Sequence, residues 1–207
     1  MWQRSKPPCL LRYKENSVRK LIYHVAVTVD GFIARKNGSV DGFLMQGDHV
    51  DAYLEHLKEY DTVVMGRRTY ETGYDFGLRP GDIAYPNMKH FVVSKTLSFA
   101  QRHADLNIVG ENAIEVIRSL KDTQGSSIYL CGGGSLSGSL LRSGMIDELL
   151  LRVNPVVFGE GIRLFEGIDT AVRLIPLNTT SYESGVVLNR YSIAIEKDSP
   201  VPGSDFR

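Results

Sequence analysis

The chain has 207 residues, and its 43% hydrophobic and 23% charged residues are typical of a globular protein with a sizeable core. Lys and Arg (24) balance Asp and Glu (24), which argues against duplex nucleic acid as a main partner, because a phosphate backbone calls for a basic excess. No apolar run approaches membrane-spanning length, and the first residues lack a secretory apolar segment. The two cysteines, Cys9 and Cys131, lie far apart, so we expect free thiols, no metal site and a reducing cytoplasm.

The two ends of the chain differ in composition from its middle. Residues 1–20 are basic, contain two prolines and show no clear period, which predicts a poorly ordered extension. A nucleic-acid or membrane arm is the alternative for this segment. The tail 198–207 is rich in Pro, Gly and Ser and is predicted to be loose. Residues 21–197 show no repeat and no internal boundary, so we predict one domain there.

The first informative segment is 21–27, an apolar run without alternation that predicts a buried strand. It leads into Asp30 and Gly31, which are typical of a turn. Open α/β sheets hold their ligands at the carboxyl ends of strands, so the alternative to a plain turn at Asp30 is a loop that borders a ligand site. His24 inside the strand is better explained as a hydrogen-bonded core residue than as a catalytic one.

A helix is predicted from Asp48, which suits the N-cap position. One apolar stripe at helical spacing contains Val50, Tyr53, Leu54 and Leu57. Asp51 shares the polar face of this helix, where a solvated carboxylate is the ordinary interpretation. If the helix borders a cleft, Asp51 becomes a second candidate for the catalytic acid.

Two further apolar strands end in groups that bind anions. The strand at 61–65 is followed by Gly66, Arg67, Arg68 and Thr69 at a helix start, and the strand at 90–93 by Ser94, Lys95 and Thr96. Arginine offers a rigid fork of donors to phosphate, and a helix start adds free backbone N–H groups. The first position therefore favours a phosphate site over exposed arginines without function. The segment 72–87 between the two strands is predicted to be a loop.

A third strand, at 127–131, ends in three glycines and a helix. Gly132, Gly133 and Gly134 precede Ser135 and Leu136. Glycines let the backbone turn sharply and approach a ligand closely, and the helix start can hold an anionic group. A tight connection without a ligand is the alternative, and the pattern is not the G-x-G-x-x-G fingerprint. Cys131 beside the turn could be a nucleophile, but a small buried side chain is the simpler interpretation.

The remaining apolar segments complete a mixed sheet. They are predicted as strands at 106–109, 147–153, 172–177, 181–182 and 187–195, the last two around a turn at 183–185, and as a helix at 112–121. Three strand ends that carry anion donors side by side would hold an extended ligand with several phosphates. A dinucleotide fits that description.

Several spaced motifs together resemble one known family. They are VTVDGFIA at 27–34, VMGRRTYE at 64–71, VVSKTL at 92–97, YLCGGGSL at 129–136 and NPVVFGEG at 154–161, followed by Leu164-Phe165. The chain resembles the dihydrofolate-reductase-like family over about residues 21 to 196 and is most similar to the reductase domain of the bifunctional riboflavin-biosynthesis protein. The zinc deaminase signature of that bifunctional protein is absent from the sequence.

The resemblance implies an α/β three-layer sandwich with a mixed, mostly parallel central sheet, antiparallel C-terminal strands and helices on both faces. It implies an NADPH-dependent oxidoreductase that reduces a small heterocycle, either pterin- or dihydrofolate-like or, as in 5-amino-6-(5-phosphoribosylamino)uracil reductase, a ribosylaminopyrimidine. The alternative is a non-catalytic NADPH sensor of the same fold. Proteins of this kind often form homodimers, for which the late antiparallel strands offer an edge.

The resemblance also assigns roles to individual residues. Arg67, Arg68 and Thr69 become cofactor phosphate contacts, while Ser94 and Lys95 lie near the adenosine 2′-phosphate. The segment from Gly132 through Gly133, Gly134 and Ser135 to Leu136 cradles the pyrophosphate and places the nicotinamide. Ala26 and the Asp30 loop border the nicotinamide and the substrate. For such a reductase, Asp30 is the first candidate for substrate orientation or proton delivery, and Asp51 is the second.

Overall fold

The structure, a computed structural model, describes residues 19–194 and is organised around an eight-stranded sheet. The strands are β1 Leu21–Thr28, β2 Phe32–Ala34, β3 Tyr60–Gly66, β4 Lys89–Val93, β5 Leu106–Val109, β6 Ser127–Gly132, β7 Glu148–Asn154, β8 Ile162–Arg163, β9 Leu174–Ser181 and β10 Val187–Ile193. The main sheet has the order β5-β4-β3-β6-β1-β7-β10-β9, and β2 pairs with β8 in a separate ribbon.

Helices cover both faces of the sheet. They are α1 Asp48–Leu57, α2 Arg67–Thr72, α3 Ala113–Lys121 and α4 Gly134–Arg142, with a 3₁₀ helix at Gly73–Phe76. Tyr53 of α1 and Tyr70 of α2 pack into the core on one face, and Ile117 of α3 and Leu140 of α4 pack into the core on the other. This is the predicted three-layer arrangement. None of the helices within residues 19–194 is long and apolar enough to cross a membrane.

The unbroken apolar runs of the central strands follow from this double cover. In β1, Ile22 belongs to the core under α1, whereas Leu21 and Tyr23 belong to the core under α3 and α4. A strand buried on both faces needs apolar side chains at every position, so it shows no alternation. The same reasoning applies to β3 and β6, which the sequence also identified correctly.

The strand directions place the ends of the central strands together. β1 pairs in parallel with β6 and β7, and β3 pairs in parallel with β4 and β6. Beyond β7, the strand β10 pairs antiparallel with β7 on one side and with β9 on the other. The predicted mixed sheet with antiparallel C-terminal strands is therefore confirmed. The carboxyl ends of β4, β3, β6 and β1 emerge side by side at one edge.

Two strand predictions differ from the structure. The predicted strands 172–177 and 181–182 both overlap one continuous strand, β9 (Leu174–Ser181), and the β2–β8 ribbon was not predicted. In that ribbon Phe32 pairs with Arg163 and Ala34 with Ile162. Strands of two or three residues are too short to show a period, so the pairing depends on tertiary contacts.

Helix α1 begins at Asp48 as predicted, but Asp48 is not its N-cap. Gly47, with φ 121°, holds that position. The Asp48 carboxylate accepts hydrogen bonds from the backbone N–H groups of Glu183 (2.7 Å) and Ser184 (3.4 Å). The residue therefore ties the start of α1 to the β9–β10 turn.

The buried stripe of α1 also differs from the predicted one. Leu54 is 52% exposed, whereas His49 is buried and its Nε2 lies 2.9 Å from the Leu44 carbonyl oxygen. The helix is rotated so that His49 and Tyr53 face the sheet. A hydrophobicity pattern does not count histidine as a core residue, so the error could not be seen in the sequence.

The folded unit includes the last two residues of the predicted extension. Arg19 is buried, its backbone N–H donates to the Lys121 carbonyl (2.9 Å), and its guanidinium donates to the Thr62 hydroxyl (3.0 Å). Lys20 pairs with Glu148 at 2.7 Å. The predictions for residues 1–18 and 198–207 lie outside the described residues.

Candidate functional site

The three strand ends that carry anion donors meet at the carboxyl edge of the sheet. Arg67 follows β3, and its Nη1 donates to the hydroxyl of Thr96, which follows β4, at 2.7 Å. Thr69 lies beside the glycine turn after β6, since a Cβ built on Gly133 would lie 3.4 Å from the Thr69 Oγ1. The three segments therefore form one continuous surface. We call it the donor edge.

The cationic side chains of the donor edge are solvent-exposed and interact only weakly with neighbouring residues. Arg67 pairs with Glu71 (2.7 Å) and Lys95 with Glu111 (2.9 Å), and the side chains of Arg67 and Lys95 are 49% and 70% exposed. Arg68 is exposed and takes part in no ion pair among residues 19–194. Exposed ion pairs of this kind contribute little to stability, so these cations are available to a ligand.

A hydroxyl orders the loop that carries Lys95. The Ser94 Oγ accepts hydrogen bonds from the backbone N–H groups of Thr96 (3.2 Å) and Leu97 (2.9 Å). This is a local turn that a serine side chain can close by itself. It fixes the direction in which the chain leaves β4.

The glycines after β6 serve two purposes. Gly132 and Gly133 have φ angles of 151° and 103°, which non-glycine residues rarely adopt, and they open the turn toward Thr69. Helix α4 then begins without a side-chain cap, so its first N–H groups point free toward the edge. Gly134 serves packing, because a Cβ there would lie 2.2 Å from the Arg163 carbonyl oxygen.

The last two residues of the predicted cradle lie in the first turn of α4. Ser135 is exposed at the donor edge, whereas Leu136 is partly buried and packs against the core under α3 and α4. Ser135 can therefore contact a ligand through its side chain. Leu136 can do so only through its backbone.

Below the donor edge, the sheet face under α1 carries small and polar side chains. Ala26 of β1 is in register with Arg152 of β7, and the Arg152 guanidinium carbon lies 3.9 Å from the centroid of the Tyr53 ring in α1. Cys131 of β6 touches Tyr85 on the same face. All five side chains are only partly buried. This part of the face, which we call the cleft floor, is accessible to a ligand.

Tyrosine hydroxyls line one side of the cleft floor. The Tyr53 hydroxyl lies 3.0 Å from that of Tyr129 and 3.3 Å from that of Tyr85, and the Tyr85 hydroxyl lies 3.5 Å from the Cys131 Sγ. Burial raises the pKa of all three tyrosines and of Cys131. The cluster is therefore neutral at physiological pH. This favours the interpretation of Cys131 as a packed thiol rather than a thiolate nucleophile.

His24 lies under the cleft floor as the core residue that the sequence predicted. Burial, and then the charge of Arg152, lower the pKa of His24 well below its usual range, so the imidazole is neutral. Its Nδ1 lies 3.4 Å from the Tyr60 hydroxyl, and its buried Nε2 has no hydrogen-bond partner within residues 19–194.

Asp30 lies in the turn after β1, four positions beyond Ala26 of the cleft floor. Its carboxylate accepts hydrogen bonds from the Thr28 hydroxyl (2.6 Å) and from the backbone N–H groups of Phe158 (3.1 Å) and Gly159 (2.7 Å). The Thr28 bond, supported by the two backbone bonds, lowers the pKa of Asp30 against the opposing effect of burial. The carboxylate thus joins the β1 turn to the segment after β7.

Asp51 does not join this site. It is exposed, its carboxylate makes no hydrogen bond or ion pair within the described residues, and it lies two residues before Tyr53. At roughly 100° per residue, it points away from the sheet. In the described part of the chain, no group of three or more His, Cys, Asp or Glu side chains is placed to hold a metal ion.

Sequence reasoning missed Arg152, Tyr53 and Tyr85 as site residues. Arg152 is the one charged residue between Leu149 and Asn154 in an otherwise apolar strand, which is a weak signal that could have been noticed. Tyr53 was predicted as core, and Tyr85 lies in the segment predicted as a loop. These three side chains lie close together because of the register of β7 and the rotation of α1. Both are tertiary properties that a local sequence pattern does not show.

Comparison with known proteins shows which family shares this sequence and architecture. Residues 19–188 match the family model described as the RibD C-terminal domain. The protein YyaP of Bacillus subtilis (strain 168) is 32% identical over 177 residues, which covers 82% of this chain and 92% of YyaP. The crystal structure of a proposed riboflavin biosynthesis protein from Shewanella sp. PV-4 has a TM-score of 0.72 at 22% identity, covering 85% of this chain and 99% of that one.

Dihydrofolate reductase from Enterococcus faecalis, complexed with NADP(H), has a TM-score of 0.59 at 20% identity, covering 84% of this chain and 96% of that one. At these identities, the two structures show the fold alone. The family model, which spans most of the chain, and the identity with YyaP go further and confirm the resemblance found in the motifs. The chain therefore belongs to the RibD C-terminal domain family.

Proposed function

We propose that this protein is an NADPH-dependent reductase that transfers a hydride to a small heterocycle, either pterin- or dihydrofolate-like or a ribosylaminopyrimidine. The observation that carries the proposal is the donor edge on three neighbouring parallel strands, directly beside the cleft floor. A ligand with several linked phosphates needs such a row of donors. The Enterococcus faecalis reductase, which shares the fold, is complexed with NADP(H), and this supports a nicotinamide nucleotide as the ligand.

The residues of the donor edge fit the chemistry of NADPH. Gly132 and Gly133 carry no Cβ, so a pyrophosphate could approach their backbone and the uncapped first turn of α4, which includes Ser135. The side chains that we assign to further phosphate oxygens, including the 2′-phosphate, are Arg67, Arg68, Thr69, Ser94 and Lys95. Ala26 and Leu136 would border the nicotinamide.

Bound NADPH supplies the hydride, and the protein supplies position and electrostatics. The small side chain of Ala26 lets a flat ring lie close to the sheet. Tyr53 and Tyr85 carry neutral hydroxyls that can donate hydrogen bonds to ring heteroatoms or hold a water that delivers the proton. Asp30, ionised at neutral pH, holds the loop beside the ring.

The first test is a titration of the purified protein with NADPH and, separately, with NADH, followed by nicotinamide fluorescence. We expect tight NADPH binding and weaker NADH binding, because the 2′-phosphate has its own cationic contacts. Arg67→Ala and Lys95→Ala should each raise the Kd for NADPH by about tenfold, the loss of roughly 1.4 kcal/mol of charged contact. Arg118→Ala is the matched control, an exposed arginine on α3 away from the donor edge.

Failure of both nucleotides to bind would mean that the fold has been kept without its cofactor. Binding without turnover would instead favour the alternative, a non-catalytic NADPH sensor. A screen by NADPH consumption separates these outcomes, with dihydrofolate and 5-amino-6-(5-phosphoribosylamino)uracil as the first substrates.

A substitution at Asp30 tests whether the loop after β1 orients the substrate or delivers a proton to it. Asp30→Asn keeps the shape but weakens the hydrogen bonds from Thr28 and Gly159, so the loop should lose its fixed position. We expect turnover to fall by roughly tenfold or more while the Kd for NADPH stays unchanged, because misplacement affects the reacting ring first. Unchanged turnover with the true substrate would show that Asp30 neither orients the substrate nor delivers a proton.

The same proposal includes a homodimer that pairs through β9. This strand forms the edge of the sheet, and its Ile175 and Leu177 are 49% and 51% exposed. An exposed apolar edge strand is a template for pairing with a second copy. Light scattering should give twice the monomer mass, and Leu177→Lys should reduce it to the monomer mass; a monomer in the wild type would exclude the pairing.

A further inference from the structure

Arg152 is the charged side chain of the cleft floor, and nothing in the described chain neutralises it. Its Nε is buried without a hydrogen-bond partner, and the residue takes part in no ion pair among residues 19–194. Other buried or half-buried cations of the same sheet are paired, such as Arg190 with Glu148 at 2.7 Å. A buried donor without a partner destabilises the fold, because it has lost its hydrogen bonds to water, so its presence in a cleft calls for an explanation.

Stacking on Tyr53 explains only part of this arrangement. A cation above an aromatic ring is attracted by the ring face, but that face accepts no hydrogen bond in the plane of the guanidinium. The guanidinium of Arg152 is therefore held in place, while its in-plane donors meet no acceptor within residues 19–194. A planar group whose orientation is fixed and whose donors are free is suited to an oxygen ligand.

Within residues 19–194, no carboxylate pairs with Arg152. His24 and the tyrosines on this face are neutral, as the directions of their pKa shifts show. Asp51 of α1 is exposed and lies two residues before Tyr53, on the side of the helix away from the sheet. Glu55 lines a pocket with Leu150 and Leu188 and pairs with Lys58 at 2.6 Å. The Asp48 carboxylate, which acts on Tyr182 together with Arg152, is held by the backbone N–H of Glu183 at 2.7 Å. Among the described residues, Arg152 therefore keeps an unpaired positive charge on the cleft floor.

We propose that Arg152 binds an anionic oxygen of the substrate and thereby selects negatively charged flat rings over protonatable ones. Ala26, in register with Arg152, lies one strand away, so a ring above Ala26 could direct an oxygen substituent at the guanidinium. A ring that carries a positive charge would be repelled by Arg152. The inference rests on the proposed reductase function and adds the charge class of the substrate.

The test uses three small rings as probes, titrated calorimetrically into the protein with and without saturating NADPH. Orotate is an anionic pyrimidinedione, uracil is the same ring without the carboxylate, and 2,4-diaminopyrimidine is protonatable. We expect wild-type protein to bind orotate best. Arg152→Met should weaken orotate binding by at least about tenfold, the value of a hydrogen bond to a charged group, and should change uracil binding by less than about twofold.

Two further variants keep the result interpretable. Arg152→Lys keeps the positive charge but lacks the planar guanidinium donors. Its affinity for orotate should therefore lie between those of Arg152→Met and the wild type. Arg35→Met removes another stacked arginine, whose guanidinium carbon lies 3.8 Å from the centroid of Phe158, and should leave orotate binding unchanged. An unaltered Kd for NADPH and an unaltered Tm confirm that each variant is folded.

The outcomes separate the inference from the function on which it rests. No NADPH binding by the wild type overturns the reductase proposal. NADPH binding together with orotate affinity that Arg152→Met does not change overturns the role of Arg152. Absence of orotate binding in the wild type, or tighter binding of 2,4-diaminopyrimidine, also overturns it.

Discussion

Basic side chains lie at both edges of the central sheet, but those at the amino edge are buried and those at the carboxyl edge are exposed. At the amino edge, Arg19 and Lys121 are buried, and Lys121 donates to Asp147 (2.6 Å) and to the Met145 carbonyl (2.9 Å). At the carboxyl edge, Arg67 and Lys95 are largely exposed and held by single ion pairs. Cations at the first edge join strands together, whereas those at the second remain available.

The difference shows where a binding function can lie in this fold. A cation that is saturated by carboxylates and carbonyls has no donor left for a ligand, and removing it leaves its partners unpaired. A cation in an exposed pair can exchange its partner at little cost. Variants at the two edges should therefore separate stability from cofactor binding.

The largest expected effect is at the amino edge, from Arg19→Met. The substitution keeps the apolar stem but removes hydrogen bonds to Thr62, to the Ser126 carbonyl and to the Asp61 carboxylate. We expect the free energy of unfolding to fall by about 2 to 3 kcal/mol, as for hydrogen bonds to charged groups. Denaturant unfolding at constant m-value measures the change.

The control for Arg19→Met is Arg118→Met, an exposed arginine without these contacts, which should change stability by less than about 0.5 kcal/mol. Equal stability of the two variants would mean that the amino-edge cluster does not join the strands. The folded protein with Arg19→Met should still bind NADPH with unchanged Kd.

A smaller, pH-dependent effect is expected from Glu148→Gln at the same edge. Burial alone would raise the pKa of Glu148, but hydrogen bonds from Lys20 and Arg190 outweigh it and lower the pKa below the usual 4.5. A carboxylate of this kind stabilises the fold above its unfolded pKa, and the contribution is lost as pH falls through its folded pKa. The variant should therefore lose about 1 to 2 kcal/mol at neutral pH and approach the wild type below pH 4.5.

Thermal unfolding of the wild type and Glu148→Gln between neutral pH and about pH 3 measures this convergence. A Tm difference that stays constant, or grows as the solution is acidified, would show that the ionised form of Glu148 does not stabilise the fold.

The same contrast explains what could be predicted from the sequence. The donor edge could be predicted because each of its groups follows a buried strand directly, and parallel strands bring their carboxyl ends together. Arg67 and Lys95 are thus located by local order alone. Their roles as phosphate contacts stay predictions until the titration is done.

Arg19 and Arg152 could not be predicted in the same way. The partners of Arg19 lie 42 and 107 positions away in the chain, so it looked like any other basic residue of the extension. Arg152 reaches the cleft floor because β7 pairs with β1 in one particular register and α1 turns Tyr53 toward it. The register between distant strands and the rotation of a helix cannot be predicted from a local sequence pattern.

The smallest effect on stability is expected from Lys95→Met at the carboxyl edge. The lysine and its partner Glu111 are 70% and 83% exposed, so the free energy of unfolding should change by less than about 0.5 kcal/mol. The Kd for NADPH should nevertheless rise by about tenfold and approach that for NADH, because the charge facing the 2′-phosphate is gone. Glu111→Gln separates the two contributions: it breaks the same pair but frees Lys95, so NADPH binding should be equal or tighter. Weaker NADPH binding in Glu111→Gln would mean that the pair orders the loop, and that Lys95 acts through the fold rather than through contact with the phosphate.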